Sequence, residues 1–272
     1  MKQEIIDFFS NFALKHTGIV LGNNKAYLIK SRLEELSKSL GFSGIEELYS
    51  NAKFRLTNSL LNQIIDALTT NETFFFRDKV QFDILKRHII PELMEKNKST
   101  KRLRIWSAAC STGQEPYSIA LLIYEFFPEL LRWNIEIIAS DISNKVLEYA
   151  KKGEFSQIEV NRGLPARMLA KYFRQQGNRW VIDQKIKRMV KFIIINLKNN
   201  FSHLGKFDII FCRYVLIYFS NALKKDILNR LHRMLNKGGY LFFGASEIPS
   251  NLSPDMIRRN INGAICYQLR PN

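Results

Sequence analysis

Two acidic residues lie where two consecutive predicted strands end. Glu115 begins a predicted helix after the strand and loop WSAACSTG, residues 106–113. This loop holds one glycine, so it does not match the dinucleotide-binding pattern, and an acid at that helix start repels a phosphate but suits a cationic ligand such as a sulfonium with an attached ammonium. Asp141 ends the next strand, where a carboxylate can accept hydrogen bonds from both ribose hydroxyls. Each acid could instead only cap the helix that follows it, but the two positions together favour an adenosyl ligand.

A further group of candidate residues follows a later predicted strand, FDIIFC. Arg213 and Tyr214 end that strand, and Tyr218 lies just beyond it. An arginine and two tyrosines at this place could belong to the same site, or they could be ordinary residues of a strand end.

The segment NETFFFRD, residues 71–78, has polar residues on both sides of three phenylalanines. It lies where two predicted domains meet. The segment could be a plug that packs the domains together, or Asn71, Thr73 and Arg77 could close the ligand crevice.

The hydrophobic pattern predicts a helical amino-terminal domain over residues 1–78, because apolar residues recur at helical spacing and no strand-like run appears before residue 100. Within it we predict a helix over 28–40, an amphipathic stretch over 58–68, and a helix opening at Ser43 with Glu46 in capping-box register. Residues 79–100 are predicted to form a linker helix, bent at Pro91, and a polar junction.

After residue 101 short apolar runs alternate with helical stretches, which predicts an α/β domain over residues 101–272 with a parallel sheet covered on both faces. In such a fold the loops at the carboxyl ends of the strands share one crevice, where ligands bind. Residues 172–192 break the alternation with a Gly177–Asn178 turn signal and alternating apolar and basic residues. They predict a small antiparallel β-subdomain inserted at about 170–192.

The chain of 272 residues has a formal net charge of +16 and a pI of about 9.8. This charge points to an acidic partner (nucleic acid, anionic lipid or an acidic protein surface), unless it only keeps the protein in solution. No apolar run approaches the ~18 residues that cross a membrane, and the first ten residues include acids where a signal peptide needs an apolar stretch. Three widely spaced cysteines, Cys110, Cys212 and Cys266, indicate neither a disulfide framework nor a zinc site. We therefore expect a reduced, cytoplasmic protein without a metal centre.

Taken together, these segments resemble the CheR-type chemotaxis receptor methyltransferases, because they occur in that family's order and spacing. They are NETFFFRD, RIWSAACSTGQEPYSIA, IIASDIS, FDIIFCRYVLIYF and GGYLFFGASE. The resemblance implies a Rossmann-like sheet that binds S-adenosyl-L-methionine, with S-adenosyl-L-homocysteine as product. It also implies methyl transfer to glutamate side chains of chemoreceptors, which gives γ-methyl esters. The implied partner is the cytoplasmic domain of a chemoreceptor, an acidic helical bundle, with no nucleic acid and no membrane insertion, and we expect a monomer.

The resemblance also implies roles for single residues. The implied cofactor-binding residues are Asn71, Thr73, Arg77, Glu115, Asp141, Asn196, Leu197, Arg213 and Tyr214. The implied catalytic residues, which could orient the acceptor carboxylate, are Arg77, Arg213 and Tyr218.

Three departures from the family pattern carry further expectations. Tyr214 stands where the family usually has asparagine, and Glu34 and Glu35 stand on helix 28–40 where relatives are often basic. The turn at residues 175–178 is shorter than in members that bind a peptide at the receptor's carboxyl terminus, so we expect no dependence on such a tether. The basic candidates for contact with an acidic receptor are Lys25, Lys30 and Arg32.

Two other functions stay open from the sequence. A nucleic-acid methyltransferase is supported only by the basic charge, and the chain has neither an Asn/Asp-Pro-Pro-aromatic motif nor a Pro-Cys nucleophile. A non-catalytic module that binds S-adenosylmethionine and docks on a receptor or kinase is disfavoured by the intact acids, arginine and tyrosine of the candidate site.

Overall fold

A computed structural model describes residues 2–22, 26–249 and 252–271 of the chain. The amino-terminal part is helical, as the apolar spacing predicts. Its helices are α1 (Gln3–Thr17), α2 (Ala26–Ser39), α3 (Ile45–Phe54) and α4 (Asn58–Leu68). Their apolar faces pack into a core of their own, in which Phe9, Leu33 and Leu48 are completely buried.

The capping box predicted for Ser43 and Glu46 is wrong. α3 begins at Ile45 with Gly44 at the N-cap, so the third residue of the helix is Glu47. The main-chain N–H and the hydroxyl of Ser43 both donate to Glu47 Oε2 at 2.8 Å. The helix starts two residues later than predicted, and the carboxylate that holds its start is the next one along the chain.

The predicted linker helix is divided into three pieces. They are α5 (Lys79–Ile84), a π-helical turn (Leu85–Ile89) and α6 (Ile90–Lys96). Pro91 is the second residue of α6, but the chain is helical without a break from Lys79, so its missing N–H interrupts the main-chain hydrogen bonds of a continuous helix. The π-helical turn lies directly ahead of this proline.

The described residues form ten strands, and seven of them make one twisted sheet. In chain order the strands are β1 (Arg102–Ala108), β2 (Asn134–Asp141), β3 (Glu154–Ser156), β4 (Phe173–Gln176), β5 (Arg179–Ile182), β6 (Val190–Ile194), β7 (Phe207–Cys212), β8 (Leu235–Phe242), β9 (Met256–Ile261) and β10 (Ala264–Leu269). The large sheet has the order β6-β2-β1-β7-β8-β10-β9. Its first five strands are parallel, and β10 runs antiparallel to both neighbours. The predicted Rossmann-like α/β fold is confirmed.

The small sheet has the order β3-β5-β4 and is antiparallel throughout. The predicted hairpin across Gly177 is confirmed as β4 and β5, but β3 lies outside the prediction and residues 190–192 belong to the large sheet. The hairpin of β9 and β10 also lies outside the predicted elements. It turns at Asn262 and Gly263, whose φ angles are 50° and 83°, the backbone that two-residue hairpins need.

The helices of this part of the chain are α7 (Gln114–Phe126), α8 (Asn144–Lys152), α9 (Gln157–Asn161), α10 (Ala166–Tyr172), α11 (Gln184–Lys187) and α12 (Asn221–Arg233). α7 packs into the core on one face of the large sheet and α12 into the core on the other. Ile105 of β1 packs into the core on one face and Trp106 into the core on the other. Ala108 is in register with Ser140 of β2 and with Cys212 of β7, so three central strands end at one edge. Within the described ranges no helix is long and apolar enough to cross a membrane.

Candidate active site

A cleft opens at the carboxyl ends of β1, β2 and β7, the edge where ligands bind in α/β folds. All the cofactor-binding and catalytic candidates taken from the sequence line this cleft. They are Asn71, Thr73, Arg77, Glu115, Asp141, Asn196, Leu197, Arg213, Tyr214 and Tyr218. The fold thus gathers into one place side chains that are spread over almost 150 positions of the chain.

The helical amino-terminal part supplies one wall of this cleft, which the sequence did not predict. Thr17 and Ile19, at and just beyond the end of α1, line it. The main-chain N–H of Val20 donates to the carbonyl oxygen of Tyr218 at 2.8 Å, and Ile19 forms an isolated β-bridge with Phe219. The loop after β7 is therefore fastened to the segment that follows α1.

Arg213 is a deeply buried charge of the cleft, with 2% of its side chain exposed. Its Nη1 donates to Glu115 Oε2 at 2.9 Å, and its Nη2 donates to Asp78 Oδ2 at 2.5 Å and to the carbonyl oxygen of Arg77 at 2.6 Å. Burial alone would lower the pKa of Arg213, but the charges of Glu115 and Asp78 outweigh it and raise the pKa above the ordinary value. Arg213 lines the cleft, and its buried Nε has no hydrogen-bond partner within the described residues.

Asp78 is a site residue that the sequence did not reveal. It has a left-handed backbone with φ of 59° and accepts hydrogen bonds from the Tyr214 hydroxyl at 2.8 Å and from the Ala245 N–H at 3.0 Å, besides that from Arg213. Burial tends to raise the pKa of Asp78, but the hydrogen bond from Tyr214 and the charge of Arg213 leave the pKa below its usual value. Asp78 therefore joins the loop after β7 to the segment before α5.

Glu115 makes no capping hydrogen bond to its own helix. α7 starts after Gly113, and no side chain caps it. The carboxylate instead accepts from the Ser107 hydroxyl at 2.7 Å through Oε1, and its other oxygen accepts from Arg213. The interpretation of Glu115 as a helix cap is thus not supported.

Asp141 likewise does not cap the helix that follows it, because Ser143 is the N-cap of α8 and accepts from the Val146 N–H. The two oxygens of Asp141 accept from the main-chain N–H groups of Ser111 and Ser143 at 2.9 and 3.0 Å. Burial raises the pKa of Asp141, and the hydrogen bonds from Ser143 and Ser111 offset this only in part. A carboxylate has about four lone-pair positions, so two oxygens that each accept one N–H can still accept hydroxyls.

Arg77 and Tyr214 form the rim of the cleft. The Arg77 guanidinium lies 3.5 Å from the centre of the Tyr214 ring and 5.4 Å from that of Phe74, and it donates to the carbonyl oxygen of Glu72 at 3.1 Å. Tyr214 has a positive φ of 56°, and its N–H donates to Glu247 Oε2 at 2.7 Å. Tyr214 and Phe74 therefore hold the rim arginine between two rings.

Asn196 and Leu197 lie where β6 ends. The Asn196 side chain donates to the carbonyl oxygen of His16 at 2.7 Å and accepts from the Lys198 N–H at 3.0 Å. Its amide therefore fastens the end of α1 to the sheet. Thr73 lines the cleft from the segment that joins the helical part to the linker helix.

The three basic candidates for receptor contact differ in their surroundings. Lys25 lies outside the described residues. Lys30 is exposed and lies 3.7 Å from Glu34, one turn along α2. Arg32 donates to the carbonyl oxygen of Leu68 at 3.0 Å and so ties α2 to the end of α4.

The groups lining the cleft fit S-adenosylmethionine. Asp141 offers acceptors for ribose hydroxyls, Glu115 offers negative charge near a sulfonium or ammonium, and the unpaired Nε of Arg213 offers a donor to a carboxylate. In the described part of the chain no group of three or more His, Cys, Asp or Glu side chains could hold a metal ion.

Two models of the CheR methyltransferase family match the chain, the all-alpha domain over residues 4–69 and the SAM-binding domain over residues 71–259. Chemotaxis protein methyltransferase 1 of Pseudomonas aeruginosa is 45% identical over 253 residues, which cover 92% of this chain and 91% of that protein. Chemotaxis protein methyltransferase Cher2 of Pseudomonas putida is 43% identical, with 97% and 98% covered. Chemotaxis protein methyltransferase 1 of Vibrio cholerae is 40% identical, with 98% and 97% covered. The chain therefore belongs to the CheR methyltransferase family, and S-adenosyl-L-methionine is its cofactor.

Proposed function

We propose that this enzyme methylates glutamate side-chain carboxylates of chemoreceptors and so forms γ-methyl esters in the cytoplasm. The observation that carries the proposal is the Arg77 guanidinium at the rim of the cofactor cleft, fixed between the rings of Phe74 and Tyr214. The described residues accept from one of its five N–H donors, through Glu72. The remaining donors can orient a carboxylate that enters the cleft. Membership of a family of chemotaxis methyltransferases points to the receptor as the owner of that carboxylate.

Three residues have proposed roles on the cofactor. Asp141 accepts hydrogen bonds from the ribose hydroxyls of the cofactor, and Glu115 faces its sulfonium and ammonium groups. Arg213 donates to the carboxylate of the cofactor and holds Glu115 in place. The proposed remaining contacts come from Asn71, Thr73, Asn196, Leu197 and Tyr214, which line the same cleft. The bound cofactor supplies an electrophilic methyl group on a sulfonium.

The acceptor chemistry places modest demands on the protein. A glutamate carboxylate is already ionised at pH 7, so no general base is required. Alignment within the cleft can lower the barrier by up to ~7–11 kcal/mol. We assign Arg77 and Tyr218 to the orientation of the acceptor carboxylate and not to its tight binding. An arginine that bound the carboxylate tightly would stabilise the ground state as well and would not speed the reaction. The expected acceptor is an acidic helical bundle, for which the net charge of +16 is complementary.

A methyl-transfer assay with labelled S-adenosylmethionine tests this proposal. The protein is incubated in parallel with a receptor cytoplasmic fragment, with tRNA and with buffer. We expect label on the receptor fragment alone, released as volatile methanol on treatment with base, which marks an ester. Transfer to tRNA would assign the enzyme to nucleic acid. No transfer by folded protein that binds the cofactor would make it a non-catalytic module.

A further inference from the structure

A second depression, which we call the lateral groove, lies beside the cofactor cleft. It is lined by residues 214, 216–217, 221, 224–225, 228, 243 and 246–249. Tyr214 is a wall residue of both the cleft and the groove. Leu228 and Phe243 are buried and give the groove an apolar floor, whereas Ile217 and Ile248 at its sides are 56% and 78% exposed. Exposed isoleucines over an apolar floor mark a surface that a partner can cover.

The charged side chains of the lateral groove are two lysines and one glutamate. Lys224 and Lys225 lie on the first turns of α12, and neither forms an ion pair within the ranges that the structure describes. The Glu247 carboxylate is turned towards the protein, where its Oε2 accepts from the N–H groups of Tyr214 and Gly244, both at 2.7 Å, and its Oε1 is buried. The groove therefore fits a segment that carries apolar and acidic side chains together.

The position of the groove relates it to the acceptor. The Tyr214 ring that separates groove from cleft lies 3.5 Å from the Arg77 guanidinium, the group proposed to orient the carboxylate. A helix presents the side chains three and four positions away on the same face as a chosen residue. A helix that directs one glutamate into the cleft thus directs its neighbours on that face towards the groove.

We infer that the lateral groove binds the acidic helix of the acceptor, through apolar and acidic residues that flank the methylated glutamate. The inference rests on the proposed function. The apolar flanking residues lie between Ile217 and Ile248, and the acidic ones pair with Lys224 and Lys225. This mode of binding is that of an amphipathic helix in a groove.

The test is steady-state methylation of a receptor cytoplasmic fragment by two double variants, Ile217→Ser with Ile248→Ser, and Lys224→Glu with Lys225→Glu. For each we expect the KM for receptor to rise about tenfold, whereas kcat and the Kd for S-adenosylhomocysteine change by less than about twofold. The increase for the lysine variant shrinks at high salt, because exposed charges are screened.

Matched controls lie at the amino-terminal ends of the parallel strands, on the side of the sheet away from the cleft. Leu131 is 42% exposed in the turn before β2, and the exposed Lys206 directly precedes β7. Leu131→Ser and Lys206→Glu keep the wild-type KM. Thermal unfolding of every variant checks that each is folded.

The outcomes separate this inference from the proposed function. If wild-type enzyme fails to methylate the receptor fragment, the proposed function is wrong and the inference falls with it. If the wild type is active and both groove variants keep its KM, the inference alone is overturned. A change in the sedimentation of the groove variants without receptor would assign the groove to contact between copies of this chain, and would also overturn it.

Discussion

Replacement of Arg213 by methionine tests whether the buried ion network holds the cleft together. The side chain makes three charge-assisted hydrogen bonds, to Glu115, Asp78 and the carbonyl oxygen of Arg77. Arg213→Met keeps the length and the apolar stem of the residue. It leaves two carboxylates, whose side chains are 11% and 19% exposed, without their cation.

The expected loss of stability depends on the hydrogen bonds that Asp78 and Glu115 keep after the substitution. Removal of one partner from a buried ion pair costs about 3–5 kcal/mol. Asp78 keeps the Tyr214 hydroxyl and the Ala245 N–H, and Glu115 keeps the Ser107 hydroxyl. We therefore expect the lower end, a loss of about 3 kcal/mol in the free energy of unfolding.

Urea unfolding measures this loss. Lys151→Met is the control, since Lys151 and Glu148 form a helical pair whose side chains are 45% and 55% exposed. We expect that control to lose no more than ~0.5 kcal/mol. Adding Asp78→Asn to the Arg213→Met variant removes one uncompensated charge, so the double variant should be more stable than the sum of the single losses by about 1 kcal/mol.

The pH dependence has a definite sign. The pKa of Asp78 lies below its ordinary value of 3.8 in the folded wild type, so this carboxylate stabilises the fold above the unfolded pKa. That contribution disappears as the pH falls through the folded pKa. The advantage of the wild type over Arg213→Met is thus complete near neutral pH and shrinks in acid. Equal losses for Arg213→Met and Lys151→Met at pH 7 would show that the network does not stabilise the cleft.

Four shorter predictions concern cofactor and acceptor. Asp141→Ala weakens binding of S-adenosylhomocysteine by about 1–3 kcal/mol in calorimetry, and unchanged affinity would end its ribose role. Arg77→Ala and Tyr218→Phe lower the single-turnover rate more than cofactor affinity; wild-type rates at saturating receptor would make both residues structural. Methylation slows as salt is added at fixed pH, whereas a salt-independent rate would leave the basic charge without a partner. Receptor with and without its carboxyl-terminal tail is methylated at similar rates, and strong dependence on the tail would contradict the expectation drawn from the short turn at residues 175–178.

The spacing of apolar residues in the sequence was sufficient to predict most of the helices and strands. The apolar spacing of residues 58–68 predicts α4, which spans Asn58–Leu68. The short buried runs after residue 101 predict the parallel strands. β3 has only three residues, Glu154–Ser156, too few for any period to show. The hairpin of β9 and β10 carries an Asn262–Gly263 turn signal, but Arg258 and Arg259 interrupt the apolar alternation before it.

Site residues could be predicted where a charged side chain directly follows a predicted strand. They could not be predicted where their role depends on partners far away in the chain. Glu115 and Asp141 follow strand ends, and a sheet edge brings such residues together. Asp78 gave no signal, since its role depends on a left-handed backbone and on partners more than 130 positions away. The wall formed by Thr17 and Ile19 is of the same kind, because a bridge to Phe219 creates it.

The bridge between Ile19 and Phe219 gives bound S-adenosylmethionine a second effect, a noncovalent link between the helical part and the sheet. The cleft takes walls from the segment after α1 and from the strand ends, so a molecule inside it holds the two parts to each other. By mass action, a ligand present at one hundred times its dissociation constant adds about 2.7 kcal/mol to the free energy of unfolding. Part of that gain must resist separation of the helical part from the sheet. We expect limited proteolysis between α1 and α2 to slow when S-adenosylhomocysteine is added, so that a cell short of methyl donor would also hold a shorter-lived enzyme.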